Sequence, residues 1–121
     1  MMGSGIDPEI DNDEPAHRQA LIEALRAEGM DAYEYHSGGG CMHVCVDLVN
    51  EDGGEDLLQI ATGSVASPCD VSLMGWNDNG NVQSPYFMRT PTLPDAVTTF
   101  RRYWAERKFW ITRFKTGELD I

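Results

Sequence analysis

The segment His36-Ser37-Gly38-Gly39-Gly40-Cys41-Met42-His43-Val44-Cys45 constrains this chain more than any other part of it. Three consecutive glycines between two runs of alternating character favour a tight reversal, because glycine accepts positive φ without steric cost. With residues 37–40 as a four-residue loop, His36 pairs with Cys41, Glu34 with His43 and Ala32 with Cys45. Side chains alternate across a strand, so one face then holds Tyr33, Tyr35, Met42, Val44, Val46 and Leu48, an apolar set fit for a core. The other holds Glu34, His36, Cys41, His43 and Asp47. A loop one residue longer or shorter would turn one strand over and mix the two sets.

The flanking sequence supplies the other elements. Residues 1–12, rich in Gly, Asp, Glu and Ser, read as a flexible acidic leader, and residues 13–121 as a single α+β domain. A helix is expected over 13–28, where Asp13 can cap, Pro15 suits the first turn, Ala20, Leu21, Ala24 and Leu25 form one stripe, and Gly29 ends the segment. Strands are expected over 31–36, 41–48, 57–62 and 71–76, with a short fifth over 82–88. Thr92-Leu93-Pro94-Asp95 opens a second helix with the stripe Ala96, Val97, Phe100, Tyr103 and Trp104. Residues 109–114 fit either a continuation of that helix or a last strand, because the run is too short for periodicity to decide. The expected architecture is an antiparallel sheet of four or five strands with an N-terminal and a C-terminal helix packed on one face.

Charge narrows the function classes. Of the net −11, residues 1–88 contribute 16 acidic and 2 basic side chains, whereas residues 89–121 contribute 4 acidic and 7 basic. An acidic body repels nucleic acid and attracts basic protein surfaces, so direct nucleic-acid binding is not expected. The run 101–115 mixes arginines with Tyr103, Trp104, Phe109 and Trp110 in a pattern suited to stacking on bases. Its aromatic spacing is that of a core stripe, however, and its cations can neutralise the protein's own acidic sheet. The acidic stretch Glu51, Asp52, Glu55 and Asp56 is the expected contact surface for a basic partner. Three cysteines, an odd count, point to reduced thiols and a cytoplasmic setting, and no apolar run is long enough to span a bilayer.

The hairpin offers the remaining chemistry. His36, Cys41 and His43, with Glu34, supply the N, S and O donors of a transition-metal site, although no Cys-x-x-Cys or His-x-x-x-His pair holds two of them by local geometry. Cys41 beside His36, with Glu34 or Asp47 as orienter, has the residue types of a nucleophilic dyad but no helix N-terminus or oxyanion element follows it. The glycine amides of 37–40 resemble an anion nest, yet phosphate loops join a strand to a helix and here a strand follows. On these grounds no catalytic residue and no cofactor is assigned.

The element His36-Ser37-Gly38-Gly39-Gly40-Cys41-Met42, framed by strands, resembles a His-[Ser/Thr]-Gly-Gly-Gly-Cys hairpin of small uncharacterised proteins from bacteriophages and their actinobacterial-type hosts. The resemblance spans the hairpin and the strand holding Trp76, carries no activity with it, and implies a phage or mobile-element source, where small acidic α+β proteins bind and block host factors. The functional expectation is therefore a cytoplasmic, non-enzymatic binding protein that docks on a basic host or phage protein. It would inhibit or modulate a nucleic-acid-handling defence or regulatory complex. A metal- or ligand-binding domain or enzyme using Glu34, His36, Cys41 and His43 is one alternative, and a structural or assembly protein another. Homodimerisation is compatible with either.

Overall fold

The computed structural model describes residues 15–38, 41–51, 56–62, 70–77, 80–83, 88–89 and 92–116. Helix α1, Pro15–Ala27, is followed by strands β1, Ala32–Gly38; β2, Cys41–Glu51; β3, Asp56–Thr62; β4, Asp70–Asn77; β5, Gly80–Gln83; and β6, Met88–Arg89. Helices α2, Leu93–Ala105, and α3, Arg107–Thr116, complete the chain. The strands form one antiparallel sheet in the order β1-β2-β3-β4-β5, with β6 also paired to β4. The α+β class is as expected. The short fifth strand anticipated over 82–88 is instead two pieces that pair with opposite ends of β4.

Each helix has a local cause. Gly29, at φ +89°, ends α1 by letting the Met30 N–H reach back to the Leu25 carbonyl at 3.1 Å while its own N–H reaches Arg26 at 3.0 Å. This is the glycine closure that satisfies the last carbonyls of a helix. The expected cap Asp13 lies outside the described residues, and the buried stripe is Leu21, Ile22 and Leu25, with Ala20 and Ala24 half-buried. Thr92 caps α2, its Oγ1 accepting from the Asp95 N–H at 3.2 Å, as its sequence implied. Residues 109–114 are helical: α2 ends at Glu106 and α3 starts anew, with Arg107 donating to the Trp104 carbonyl at 2.8 Å and lying 4.4 Å over the Trp104 ring. The C-terminal region thus holds two helices rather than one.

The three helices cover one face of the sheet. Leu21, Ile22 and Leu25 of α1, Ala96, Phe100 and Tyr103 of α2, and Trp110 and Phe114 of α3 share a core with Ala32, Val44, Val46, Val49, Leu58, Ile60, Val71 and Leu73. At about 1.5–3 kcal/mol for each large apolar side chain removed from water, this cluster is the principal source of stability.

The hairpin register corrects the sequence expectation. β1 and β2 pair Ala32 with Val46, Tyr33 with Cys45, Glu34 with Val44, Tyr35 with His43 and His36 with Met42, and an irregularity between His36 and Gly38 brings Gly38 opposite Cys41. The extra residue at the tip turns β1 over relative to β2. The expected pairs His36 with Cys41, Glu34 with His43 and Ala32 with Cys45 are therefore not formed. Val44 and Val46 are buried as expected, but Ala32 rather than Tyr33 or Tyr35 joins them, and Tyr35 is 48% exposed.

Candidate functional site

The register divides the hairpin side chains between two environments. Glu34 and His36 lie on the helix-bearing face. There Arg18, itself only 5% exposed, donates from Nε to Glu34 Oε2 at 2.6 Å, and His36 Nε2 lies 3.5 Å from Glu34 Oε1. Hydrogen bonding to Arg18 holds the Glu34 carboxyl below the usual carboxylate range. His43 is on the opposite face with Tyr35, ring centroids 6.1 Å apart, and its Nδ1 meets the Thr62 carbonyl at 2.7 Å. A carbonyl can only accept, so Nδ1 carries the proton in this bond. Cys41 of β2 pairs with Gly38 of β1. The set Glu34, His36, Cys41 and His43 is thus not the single face expected. Among the described residues no group of three His, Cys, Asp or Glu side chains is placed to hold a metal ion.

The face that no described helix covers carries a polar web. Tyr33 donates to Asp47 Oδ1 at 2.6 Å, Gln59 Nε2 reaches Tyr33 Oη at 3.2 Å and Asp47 Oδ1 at 3.3 Å, and Asn50 Nδ2 donates to Asp47 Oδ2 at 2.9 Å. Desolvation, then the bond to Asp47, raises the Tyr33 phenol well above its ordinary range, so Tyr33 is a donor at neutral pH. Gln59 is 6% exposed, and its amide is matched by these partners, which a buried polar group requires. Cys45, fully buried beside this web, has its thiol pushed up to about 12 by burial and by the Asp47 charge. It is a protonated apolar filler rather than a nucleophile. Sequence reasoning placed Asp47 on the polar face but missed Tyr33 and Gln59. The available signal was Gln59 itself, a lone amide inside the apolar run Leu57-Leu58-Gln59-Ile60-Ala61.

The acidic surface is in part described. Glu51 pairs directly with Asp56 at the end of the β2–β3 ladder, while Asp52 and Glu55 lie outside the described residues. Lys115 of α3 approaches Glu51 at 3.6 Å, both side chains being more than half exposed. At the other end of the helical layer Arg101 grips Glu28, Nε to Oε1 at 2.8 Å and Nη2 to Oε2. The C-terminal cations thus meet the protein's own acids at several points. No described helix is long and apolar enough to cross a membrane. Comparison with known protein families, curated proteins and solved structures gives no match for this chain.

Proposed function

We propose that this protein is a small acidic, non-enzymatic binding protein that docks on the basic surface of a nucleic-acid-handling protein and blocks or modulates it. The observation that carries the reading is the pairing of Glu51 with Asp56. Like charges directly opposite on a sheet cost about 0.2–1 kcal/mol, an expense that folding alone gives no reason to keep. The contact from Lys115 to Glu51 is exposed and therefore a weak relief. A cationic partner would relieve it fully, and the adjoining Asp52 and Glu55 extend the same charge along the chain. Proteins that handle nucleic acid present basic surfaces shaped for a polyanion, which a chain of net −11 can occupy.

The test is quantitative capture from host extract on the immobilised full chain, followed by association kinetics with the captured protein. A basic partner is expected. Its binding should weaken steeply between about 0.1 and 0.5 M salt, and combining Glu51→Gln with Asp56→Asn should slow association about ten-fold. Lys115→Ala should act in the opposite direction, because it removes a cation that lies 3.6 Å from Glu51. The intact protein should leave duplex DNA unshifted at physiological salt. A partner whose binding ignores salt and all three substitutions would refute the proposal.

A further inference from the structure

The outer edge of β1 is self-complementary in one register, and we infer that two copies of this chain pair there, antiparallel, about a two-fold axis through Tyr35. The direction of the backbone groups comes first. The Ala32 N–H bonds to the Met30 carbonyl at 3.0 Å and its carbonyl accepts from Arg26 Nε at 3.0 Å, so neither is engaged with β2. On β2, the Val44 N–H points to β3, where it donates to Thr62 Oγ1 at 2.9 Å, which turns the Cys45 and His43 amides toward β1. Both observations give the same phase. Tyr33 and Tyr35 bond to β2, and the N–H and C=O groups of Glu34 and His36 point outward. Among the described residues no hydrogen bond is made to these outward groups, and β1 pairs on one side only.

Such an edge is a template for another strand unless something blunts it. Here Arg26 occupies the Ala32 carbonyl and the irregularity before Gly38 ends the regular run, so the usable stretch is Glu34 to His36. Two copies can meet across it only where outward groups face outward groups. One such register opposes Glu34 to Glu34 and another His36 to His36, each setting like groups against each other. The third centres on Tyr35 and opposes Glu34 to the partner subunit's His36 twice over. In that register each Glu34 and His36 pair exchanges both N–H···O bonds, and the imidazole can donate to the facing carboxylate in either protonation state. The two Tyr35 rings then meet at the axis as a non-hydrogen-bonded pair, Cα atoms about 4.5 Å apart, the arrangement that brings side chains closest. This accounts for Tyr35, one of the two exposed large apolar side chains among the described residues. An edge this short makes a reversible, concentration-dependent dimer rather than an obligate one.

The test uses the full-length chain in sedimentation equilibrium over a wide concentration range. A monomer–dimer equilibrium is expected. Tyr35→Lys, which sets two cations against each other at the axis, should raise the dissociation constant at least ten-fold. Because Tyr35 is half exposed, the variant's melting temperature should stay near that of the parent. Tyr35→Cys should give, on mild oxidation, a covalent dimer whose linked peptides map position 35 to position 35, since a separation of about 4.5 Å is within disulfide reach. Thr112→Cys, exposed on α3, should not. A chain monomeric at every concentration, a dimer indifferent to Tyr35→Lys, or oxidative linkage no better at position 35 than at 112 would each overturn the inference.

Discussion

Tyr33 and Asp47 face each other obliquely across the β1–β2 ladder, joined by a 2.6 Å hydrogen bond from phenol to carboxylate. The pair explains why an aromatic residue that sequence pattern assigns to the core sits on the other face of the sheet: its hydroxyl has a charged acceptor there and would have had none among the valines. Tyr33→Phe deletes the donor and leaves the carboxylate with Gln59 and Asn50 only. Hydrogen bonds to charged groups are worth about 1.5–3 kcal/mol, so a loss of about 2 kcal/mol is expected in urea denaturation. A change below about 0.5 kcal/mol would mean that the web does not stabilise the fold.

Alkali should unfold the protein through the same face. The Cys45 thiol, ordinarily near 9.0, is held at about 12 by burial, and the Tyr33 phenol is likewise raised. A raised folded-state pKa contributes stability that is complete below the unfolded value and is lost as pH rises through the folded one. Stability should therefore hold to about pH 9 and fall progressively between about 9 and 12, with Cys45→Ser or Cys45→Ala flattening part of that slope. Native Cys45 should also resist thiol reagents at neutral pH until denaturant is added.

How legible was this in the sequence? Most of the elements were, where each has a local chemical cause, such as Gly29 at the end of α1 and Thr92 at the start of α2; the break between α2 and α3 and the division of the fifth strand into β5 and β6 were not. The orientation of β2 was legible too, since Val44 and Val46 have only one reason to share a face. The orientation of β1 was not. It turns on one extra residue accommodated between His36 and Gly38, and on partners distant in sequence, Arg18 for Glu34 and Asp47 for Tyr33. Tyr33 and Tyr35 looked apolar to a pattern count because the count ignores a hydroxyl that can be satisfied elsewhere. The candidate donor set failed with that register.

Gly75 of β4 packs against Phe114 of α3. A Cβ there would lie 2.9 Å from the Leu57 carbonyl oxygen, 3.0 Å from Phe114 Cε1 and 3.1 Å from Leu58 Cδ1. The first of these is backbone and cannot rotate away. Gly75→Ala should destabilise the protein by about 1–3 kcal/mol, read as a lower denaturant midpoint at an unchanged slope. Combining it with Phe114→Leu should show non-additivity, because the two positions share the same contact.

Two ion pairs that look alike on paper should behave differently. Arg18 is buried under Glu34, whereas Arg101 and Glu28 meet at the surface. Glu34→Gln should cost about 1–2 kcal/mol, the low end for a charge-assisted bond because Glu34 itself is solvent-accessible, while Glu28→Gln should be nearly silent in the presence of salt. The Glu34 carboxyl is depressed, so its contribution is present above the ordinary value of 4.5 and is lost as pH falls below it. Acid titration of the Glu34→Gln variant should accordingly lack part of the parent's stability loss below pH 4.5.

The two hairpin histidines lie on opposite faces of the sheet. His36 turns to Glu34 on the helix-bearing face, and His43 is tied through Nδ1 to the Thr62 carbonyl on the other. A shared ion would require one strand to rotate about its axis, which would turn Ala32 out of the core if β1 moved, or Val44 and Val46 if β2 moved. Leaving a valine of this cluster exposed costs about 1.5–3 kcal/mol, which opposes any such rotation. Dialysis against a strong chelator should leave the melting temperature unchanged within about 1 °C, since a structural metal is worth folding energy outright. His36→Ala should likewise leave metal content unaltered. Near-stoichiometric zinc in tag-free protein, removed together by either His36→Ala or His43→Ala, would show that the hairpin adopts the other register when metal is bound.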